Sequence, residues 1–273
     1  MKIAMIGQKG LPAIYGGVER HVEELTTRLV KRGHKVTVYA RRWYTQSEDG
    51  VIKGVRIKHL PSINTKHFDT ISHSLLATIQ AIFSGADIIH YHGVGPSLVS
   101  WIPRLFAPQT RVITTFHSMD RKHEKWGIFA RLMLRLGEWT ACNFAHQTIA
   151  VSQTIKQYCR DVYDREAIFI PNGVPAYAKK IASNFLAEWN LQPQKYLLIL
   201  SRLIPHKGAH YLISAWKKLP EKNKNDLKLV IVGGGYHTEK YAASLKKLAG
   251  NDAQIIFTGF QTGEKLAQLL SHA

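Results

Sequence analysis

Arg202 and Lys207 lie five residues apart in Ser201-Arg-Leu-Ile-Pro-His-Lys-Gly208. A fork-shaped guanidinium and an ammonium so spaced can clasp a diphosphate. The apolar run Tyr196–Leu200 precedes them and the amphipathic run Ala209–Trp216 follows, which predicts a loop between a buried parallel strand and a helix. Ligands of open α/β sheets bind at such carboxyl strand ends, and helix starts there favour anions. Two basic residues on a basic chain can equally be solvated charges; their place between strand and helix is what points to an anion.

A second candidate loop, Gly7-Gln-Lys-Gly-Leu-Pro-Ala-Ile-Tyr-Gly-Gly17, runs from a first strand into a helix starting near Val18. Its glycines allow positive φ and a close backbone approach to a ligand. The spacing is neither GxGxxG nor a Walker loop, so it suits a loop passing near a phosphate, or a plain turn. Histidines stand at two further strand ends, in His90-Tyr-His-Gly93 and Phe116-His-Ser-Met-Asp120. His117, with Ser118 and Asp120 behind it, is the stronger candidate for facing a cleft, and His92 the weaker. A zinc site is possible on residue types, but no HExxH or i,i+4 pair supports one, and no metal is expected. Gly233-Gly-Gly235 and Thr258-Gly-Phe260 follow later strands and can line a nucleotide cleft or form tight turns.

The elements that must position these residues alternate along the chain. Strands are expected at Lys2–Ile6, Lys35–Ala40, Val55–Lys58, Ile88–Tyr91, Val112–Phe116, Thr148–Val151 and Ile168–Ile170, with helices at Val18–Arg32, Ser74–Phe83 and Trp126–Phe144. After the turn or hinge Ile170-Pro-Asn-Gly-Val-Pro175, strands at Tyr196–Ser201, Leu227–Val232 and Gln254–Thr258 alternate with helices at Ala209–Lys218, Glu239–Ala249 and Glu264–Ser271. The expected fold is α/β: two Rossmann-like doubly wound domains, residues 1–171 and 172–273, the second incomplete with three clear strands. The segment Arg121–Arg135 mixes basic residues with Trp126, Phe129, Leu132 and Met133. It reads either as a basic amphipathic surface element for anionic lipid or as a helix whose apolar face covers the sheet.

Composition narrows the class. With 45% hydrophobic and 21% charged residues, the chain reads as a soluble globular protein. No apolar stretch approaches the roughly 20 residues that span a bilayer. Two cysteines, Cys142 and Cys159, without CxxC spacing fit a reducing, cytoplasmic compartment. The net charge of +18 is spread over both halves: 23 Lys/Arg against 13 Asp/Glu in residues 1–171, and 14 against 6 in residues 172–273. Phosphorylated substrates, an anionic membrane surface and nucleic acid would all be attracted. Nucleic acid is set aside because no helix-turn-helix, zinc finger or RNP pattern occurs.

Together these motifs resemble retaining glycosyltransferase family four, built on the GT-B fold of two facing Rossmann-like domains. The resemblance covers nearly the whole chain in order. Gly10-Leu-Pro-Ala-Ile-Tyr-Gly-Gly-Val-Glu-Arg-His21 is similar to that family's sugar-nucleotide loop, Pro171-Asn-Gly-Val174 to its interdomain crossing, and Ser201–Gly208 to its diphosphate-binding segment. His117-Ser-Met-Asp120 and Lys125-Trp-Gly127 look closest to a bacterial branch of rhamnosyltransferase-like enzymes of surface polysaccharide assembly.

The resemblance implies that Arg202 and Lys207 neutralise a donor's diphosphate, and that Gly16 and Gly17 bring backbone N–H groups to the same phosphates. It implies that His117 orients or polarises near sugar and acceptor, with His92 and Asp120 on the acceptor side. Gly234, Thr258, Gly259 and Phe260 would shape the nucleotide pocket. No cofactor is implied; the donor is a nucleotide-diphosphate sugar, and the absence of Asp-x-Asp agrees with metal independence. Family members continue into a paired-glutamate segment not found before Ala273, so a carboxy-terminal truncation is expected. The function implied is sugar transfer to a lipid-linked or saccharide acceptor at the cytoplasmic membrane face. An inactive fragment of such an enzyme and a GT-B sugar-nucleotide epimerase are the alternatives.

Overall fold

The computed structural model describes residues 1–45, 48–65, 68–122, 127–173, 184–235 and 238–273. Lys125, Trp126, Val174 and Pro175, singled out in the sequence, lie outside them. The chain divides into two compact units, Met1–Gly173 and Val174–Ala273.

The first unit is built on an eight-stranded sheet of β1 (Lys2–Ile6), β2 (Lys35–Arg41), β3 (Gly50–Ile52), β4 (Val55–Leu60), β5 (Ile88–His92), β6 (Arg111–Phe116), β7 (Gln147–Ala150) and β8 (Ile168–Phe169), in the order β3-β4-β2-β1-β5-β6-β7-β8. Every neighbouring pair is parallel except β3 with β4. Parallel neighbours need crossover connections. These carry α1 (Gly17–Lys31), α2 (Arg42–Thr45), α3 (Asp69–Phe83), α4 (Val94–Ser97), α5 (Trp101–Phe106), α6 (Ile128–Asn143) and α7 (Gln153–Tyr163). The sheet is buried on both faces: Met5, Val36, Val38 and Ile57 pack with Val22 of α1, while Ile6, Tyr39, Ile89 and Tyr91 pack with Ala77 and Ala81 of α3. Burial on both sides is why β1, β2 and β5 are rich in apolar residues without strict alternation. The strand order reverses between β1 and β5, which makes the carboxyl ends of those two strands the switch point.

The second unit holds three parallel strands, β9 (Tyr196–Leu200), β10 (Lys228–Val232) and β11 (Ile255–Gly259), in the order β11-β10-β9. Its helices are α8 (Ala209–Lys218), α9 (Glu221–Lys224), α10 (Glu239–Ala249) and α11 (Gly263–Ser271). Leu229 and Ile231 pack on Ile213, Trp216 and Leu245, while Val230 and Val232 pack on Leu186 and Leu269.

Three local departures from the sequence reading have physical causes. The expected all-parallel arrangement breaks at β3, a hairpin strand closed by Lys53 and Gly54 at φ 50° and 80°. Helix α7, not among the helices expected from sequence, is mostly polar with only Ile155 and Cys159 buried; the Ser152 hydroxyl caps it by accepting the Ile155 N–H at 3.2 Å.

The third departure corrects the reading in which the large apolar residues of the 121–135 segment cover the sheet. Phe129 and Leu132 are 62% and 58% exposed, and Ile128, Leu136 and Trp139 also face outward. The buried side of α6 is instead Ala130, Gly137, Glu138, Thr140, Ala141 and Cys142. Helix α6 lies so close to α4 that a Cβ at Gly137 would come within 2.2 Å of the Val94 carbonyl oxygen. Small residues are needed where α6 meets α4, so Ile128, Phe129, Leu132, Leu136 and Trp139 turn out, while Leu134 packs against the core cluster of Val94, Phe116 and Cys142. Among the described residues, no helix is long and apolar enough to cross a membrane. Cys142 and Cys159 are buried free thiols.

Candidate functional site

In the first unit, candidate chemistry collects at the carboxyl ends of β1, β5 and β6. The loop after β1 is braced from beneath. The buried Gln8 amide donates to the carbonyls of Met5 (3.1 Å) and Tyr39 (3.0 Å). Arg41, 2% exposed, donates to the Gln8 carbonyl at 3.0 Å and pairs with Asp69 at 2.7 Å. The Tyr44 hydroxyl accepts the N–H groups of Ile14 and Tyr15. Two carboxylates of α1 finish the brace: Glu19 accepts the Lys9 N–H (3.1 Å) and Glu23 the Ala13 N–H (3.0 Å). Gly16, at φ 105°, has no room for a side chain because a Cβ would fall 1.9 Å from the Glu19 carboxylate. Gly16 and Gly17 are exposed where α1 opens, so the unpaired N–H groups of the first turn face outward beside the buried Glu19.

Opposite that loop stands a group of imidazoles. His92 ends β5, His117 follows β6 directly, and His21 sits one turn into α1. His92 Nδ1 lies 3.2 Å from His117 Nε2, and His92 Nε2 lies 3.4 Å from the Met5 sulfur. The His21 ring meets those of His92 and His117 edge-on, with centroids 5.8 Å and 5.1 Å apart. His90 is tilted against His92 at 4.1 Å and hydrogen-bonded to Thr115 at 2.7 Å. Burial is the first cause of a downward pKa shift throughout the group, with neighbouring imidazoles adding to it for His90, His92 and His117. His90 and His117 fall to about 3, His92 lies well below its ordinary value, and His21 is lowered by burial alone. At neutral pH these are uncharged rings, each with one donor and one acceptor nitrogen. The Ser118 hydroxyl donates to Asp120 at 2.7 Å, fixing that carboxylate in the turn after β6.

In the second unit, three strand-end loops are drawn together. The Ser201 N–H reaches the Val232 carbonyl (3.1 Å), the Leu203 N–H the Gly234 carbonyl (3.1 Å), and the Gly233 N–H the Gly259 carbonyl (2.8 Å). The approach demands glycine at 233: φ is 144°, and a Cβ would lie 1.8 Å from the Ser201 carbonyl oxygen. Thr238 donates to the Leu203 carbonyl at 2.8 Å, fixing the loop from its other side. Upon this base Arg202 and Lys207 are exposed, Lys207 in a 3-10 turn that Gly208 ends at φ 76°. Among the described residues neither cation has a hydrogen-bond or ion-pair partner. The buried Ser201 Oγ has no partner either. Phe260, 58% exposed, presents its ring at the end of β11, next to Gly234. Thr258 and Gly259 serve the scaffold: the Thr258 hydroxyl bonds to the Gly259 carbonyl and the Thr258 carbonyl accepts from the Gln261 amide.

The first unit thus presents neutral imidazoles at its strand ends, and the second presents the exposed Arg202 and Lys207 on the loop after β9. Comparison with known proteins supplies the family. The sequence profile described as "Glycosyltransferase Family 4" matches residues 15–176, more than half of the chain. The chain belongs to glycosyltransferase family 4. A second profile, "Glycosyl transferases group 1", matches residues 184–273 of this family-4 chain. An uncharacterized glycosyltransferase of Methanocaldococcus jannaschii is 26% identical, aligned over 100% of the chain and 73% of its own length. The O-antigen chain mannosyltransferase C of Escherichia coli is 24% identical over 97% of the chain and 68% of its own length. Among solved structures, Anabaena HepE in complex with UDP and glucose superposes with a TM-score of 0.73 at 20% identity, covering 100% of the chain and 72% of that protein. The fold is the mixed α/β, Rossmann-like type of GT-B glycosyltransferases.

Within the family-4 chain, the residues singled out from the sequence fall into two groups, each inside one unit. Gly16, Gly17, His92, His117 and Asp120 gather at the first sheet's strand ends; Arg202, Lys207, Gly234, Thr258, Gly259 and Phe260 gather at the second's. His92, expected on the acceptor side, is 2% exposed and lies against His117, its Nδ1 3.2 Å from His117 Nε2. Two residues escaped notice as site residues. His21 carries a readable signal, since a side chain one turn into the helix after β1 stays close to the carboxyl edge of the sheet. Ser201 carries none, because its orphaned hydroxyl depends on the contact between β9 and β10.

Proposed function

We propose that this family-4 chain moves a sugar from a nucleotide-diphosphate donor to a lipid-linked or saccharide acceptor in cell-surface polysaccharide synthesis, with retention and without a metal. The observation that carries the reading is the unpartnered Arg202 and Lys207 on the loop after β9, beside a glycine-lined approach and an orphaned hydroxyl. As the bond between sugar and diphosphate breaks, negative charge grows on the leaving diphosphate. Fixed cations there stabilise the transition state more than the ground state. The acceptor hydroxyl oxygen takes the sugar carbon, and its proton ends on the departing diphosphate. Phe260 offers a face to the base, and in the first unit Gly16 and Gly17 present the N–H groups of a helix start, which suit an anionic ligand. His117, neutral and able to donate from one nitrogen while accepting on the other, orients sugar and acceptor hydroxyls, with Asp120 fixed in the turn after β6.

Support for a nucleotide sugar comes from HepE, solved with UDP and glucose; support for a glycan acceptor comes from the O-antigen chain mannosyltransferase. A rhamnosyl-type sugar is the finer reading, carried by the 117–127 segment. We also place the chain at the cytoplasmic face of a membrane, supported by the outward apolar face of α6 interleaved with exposed Arg131 and Arg135.

The test is calorimetric binding of UDP, GDP, ADP and dTDP to the 273-residue chain, followed by transfer assays with the matching sugar donors. Charge-assisted hydrogen bonds of about 1.5–3 kcal/mol predict that Arg202→Ala and Lys207→Ala each weaken the bound diphosphate by roughly 10- to 100-fold. Equal affinity in both variants would refute the diphosphate assignment. Sugar released or epimerised without acceptor would favour an epimerase, and binding without any turnover would favour the inactive reading.

A further inference from the structure

We propose that His21, His92 and His117 form a binding site for a borderline transition-metal ion of the Zn2+ and Co2+ class at the switch point of the first sheet. One ligand nitrogen from each ring can be chosen so that all three lie within 4.8 Å of one another. Two are nearer still: His92 Nδ1 and His117 Nε2 are 3.2 Å apart. Two nitrogens about 2.0–2.1 Å from a tetrahedral ion stand about 3.3–3.4 Å apart, so this pair already holds ligand spacing. His21 completes the set through a modest side-chain rotation, since its ring is only partly buried.

The pair is held rigidly. His92 and His117 issue from hydrogen-bonded neighbouring strands, and the Gly93 N–H bonds to the Thr115 carbonyl at 2.9 Å to extend that pairing past the strand end. His90 tilted against one face of His92 and the Met5 sulfur beside its Nε2 fix the ring's orientation. Preorganisation of this kind separates a site from a chance cluster. In the metal-free chain one proton shared between His92 and His117 satisfies that pair; an ion would take its place, accept the lone pair of His21 as well, and leave a fourth position open. Imidazole nitrogens without a carboxylate select Zn2+, Co2+, Ni2+ or Cu2+ over Mg2+ and Ca2+. The spacing along the chain hides the site, because its three ligands come from three elements. The inference does not depend on the transfer reading. An ion held by His117 would occupy the lone pair assigned to substrate, so it is a ligand of the resting chain and no cofactor of transfer.

The experiment is titration of the tag-free chain with Co2+, followed by visible absorption, with Zn2+ as competitor. The expected result is one equivalent bound, with the intense bands of four-coordinate Co2+, abolished by Zn2+ and unaffected by excess Mg2+. His21→Ala and His117→Gln should each weaken binding by at least about 10-fold, the lower end of what even an outer-shell change costs. His34→Ala and His206→Ala should leave it unchanged. A second measurement needs no variant: Zn2+ should protect His21 and His117 from diethyl pyrocarbonate, read by peptide mass spectrometry. The proposal is overturned if Co2+ gives only the weak spectrum of a hydrated ion, if the control variants lower affinity as much as His21→Ala, or if Zn2+ leaves both histidines equally modified.

Discussion

Lowering the pH should destabilise the first unit well before its carboxylates titrate, and His73 offers a clean way to measure it. His73 is fully buried in α3, and burial, reinforced by the nearby Arg41 guanidinium, holds its pKa down to about 4. In the unfolded chain an imidazole binds its proton near pH 6.5. Above that pH both states are neutral and nothing is lost. Between pH 6.5 and about 4 only the unfolded state takes up a proton, so stability falls by up to about 1.4 kcal/mol per pH unit for this one residue. Between pH 7.5 and 5.0 the loss comes to about 2 kcal/mol for His73, and about 2 kcal/mol more for His90, held at about 3 by burial. Glu23, whose pKa is lowered, stays ionised throughout that range. Native-state hydrogen exchange on peptides from β1 and β5, corrected for intrinsic rates, reports the opening free energy of this unit alone. His73→Leu should remove about 2 kcal/mol of the decline between pH 7.5 and 5.0, whatever it does to stability at pH 7.5. An identical pH dependence in wild type and His73→Leu would refute the reasoning, as would a wild-type unit that loses nothing by pH 5.0.

Two further outcomes follow from the same structure. Glu138, 1% exposed, accepts hydrogen bonds from Tyr163 (2.7 Å), Tyr158 (2.9 Å) and Arg121 (3.3 Å), joining α6, α7 and the turn after β6. Glu138→Gln keeps the shape but loses the charge and part of the accepting capacity; a loss of about 2–3 kcal/mol, read as a melting point lower by roughly 5–10 °C, is expected. An unchanged melting point would mean that the cluster contributes nothing net. On the outer face of α6, Phe129→Ser and Leu132→Ser should together reduce flotation with vesicles containing anionic lipid while leaving the melting point within about 1 °C, because both side chains are exposed. Undiminished flotation would remove α6 from the membrane reading.

The alternation of apolar runs with amphipathic stretches was enough to place β1, β2, β5, β6, β9 and β10 and the helices α1, α8 and α10, because apolar runs of strand length and helix-period stretches are told apart by length and period. The strand-to-helix position of Arg202 and Lys207 was legible for the same reason: the loop is bracketed by two unmistakable elements. What remained hidden depends on contacts between distant residues. The outward turn of Phe129 and Leu132 follows from Gly137 lying against Val94, a contact that no periodicity within α6 records. Gly233 is obligatory only because β10 passes within reach of Ser201. The histidines show the division most clearly. Sequence marked His92 and His117 as residues at strand ends, but their meeting with each other and with His21 is decided by the order β2-β1-β5-β6, which sets elements far apart in the chain side by side. A parallel sheet gathers the ends of its strands along one edge whatever their separation in sequence, so the kinds of chemistry were readable from the residues while their assembly was a property of the tertiary structure.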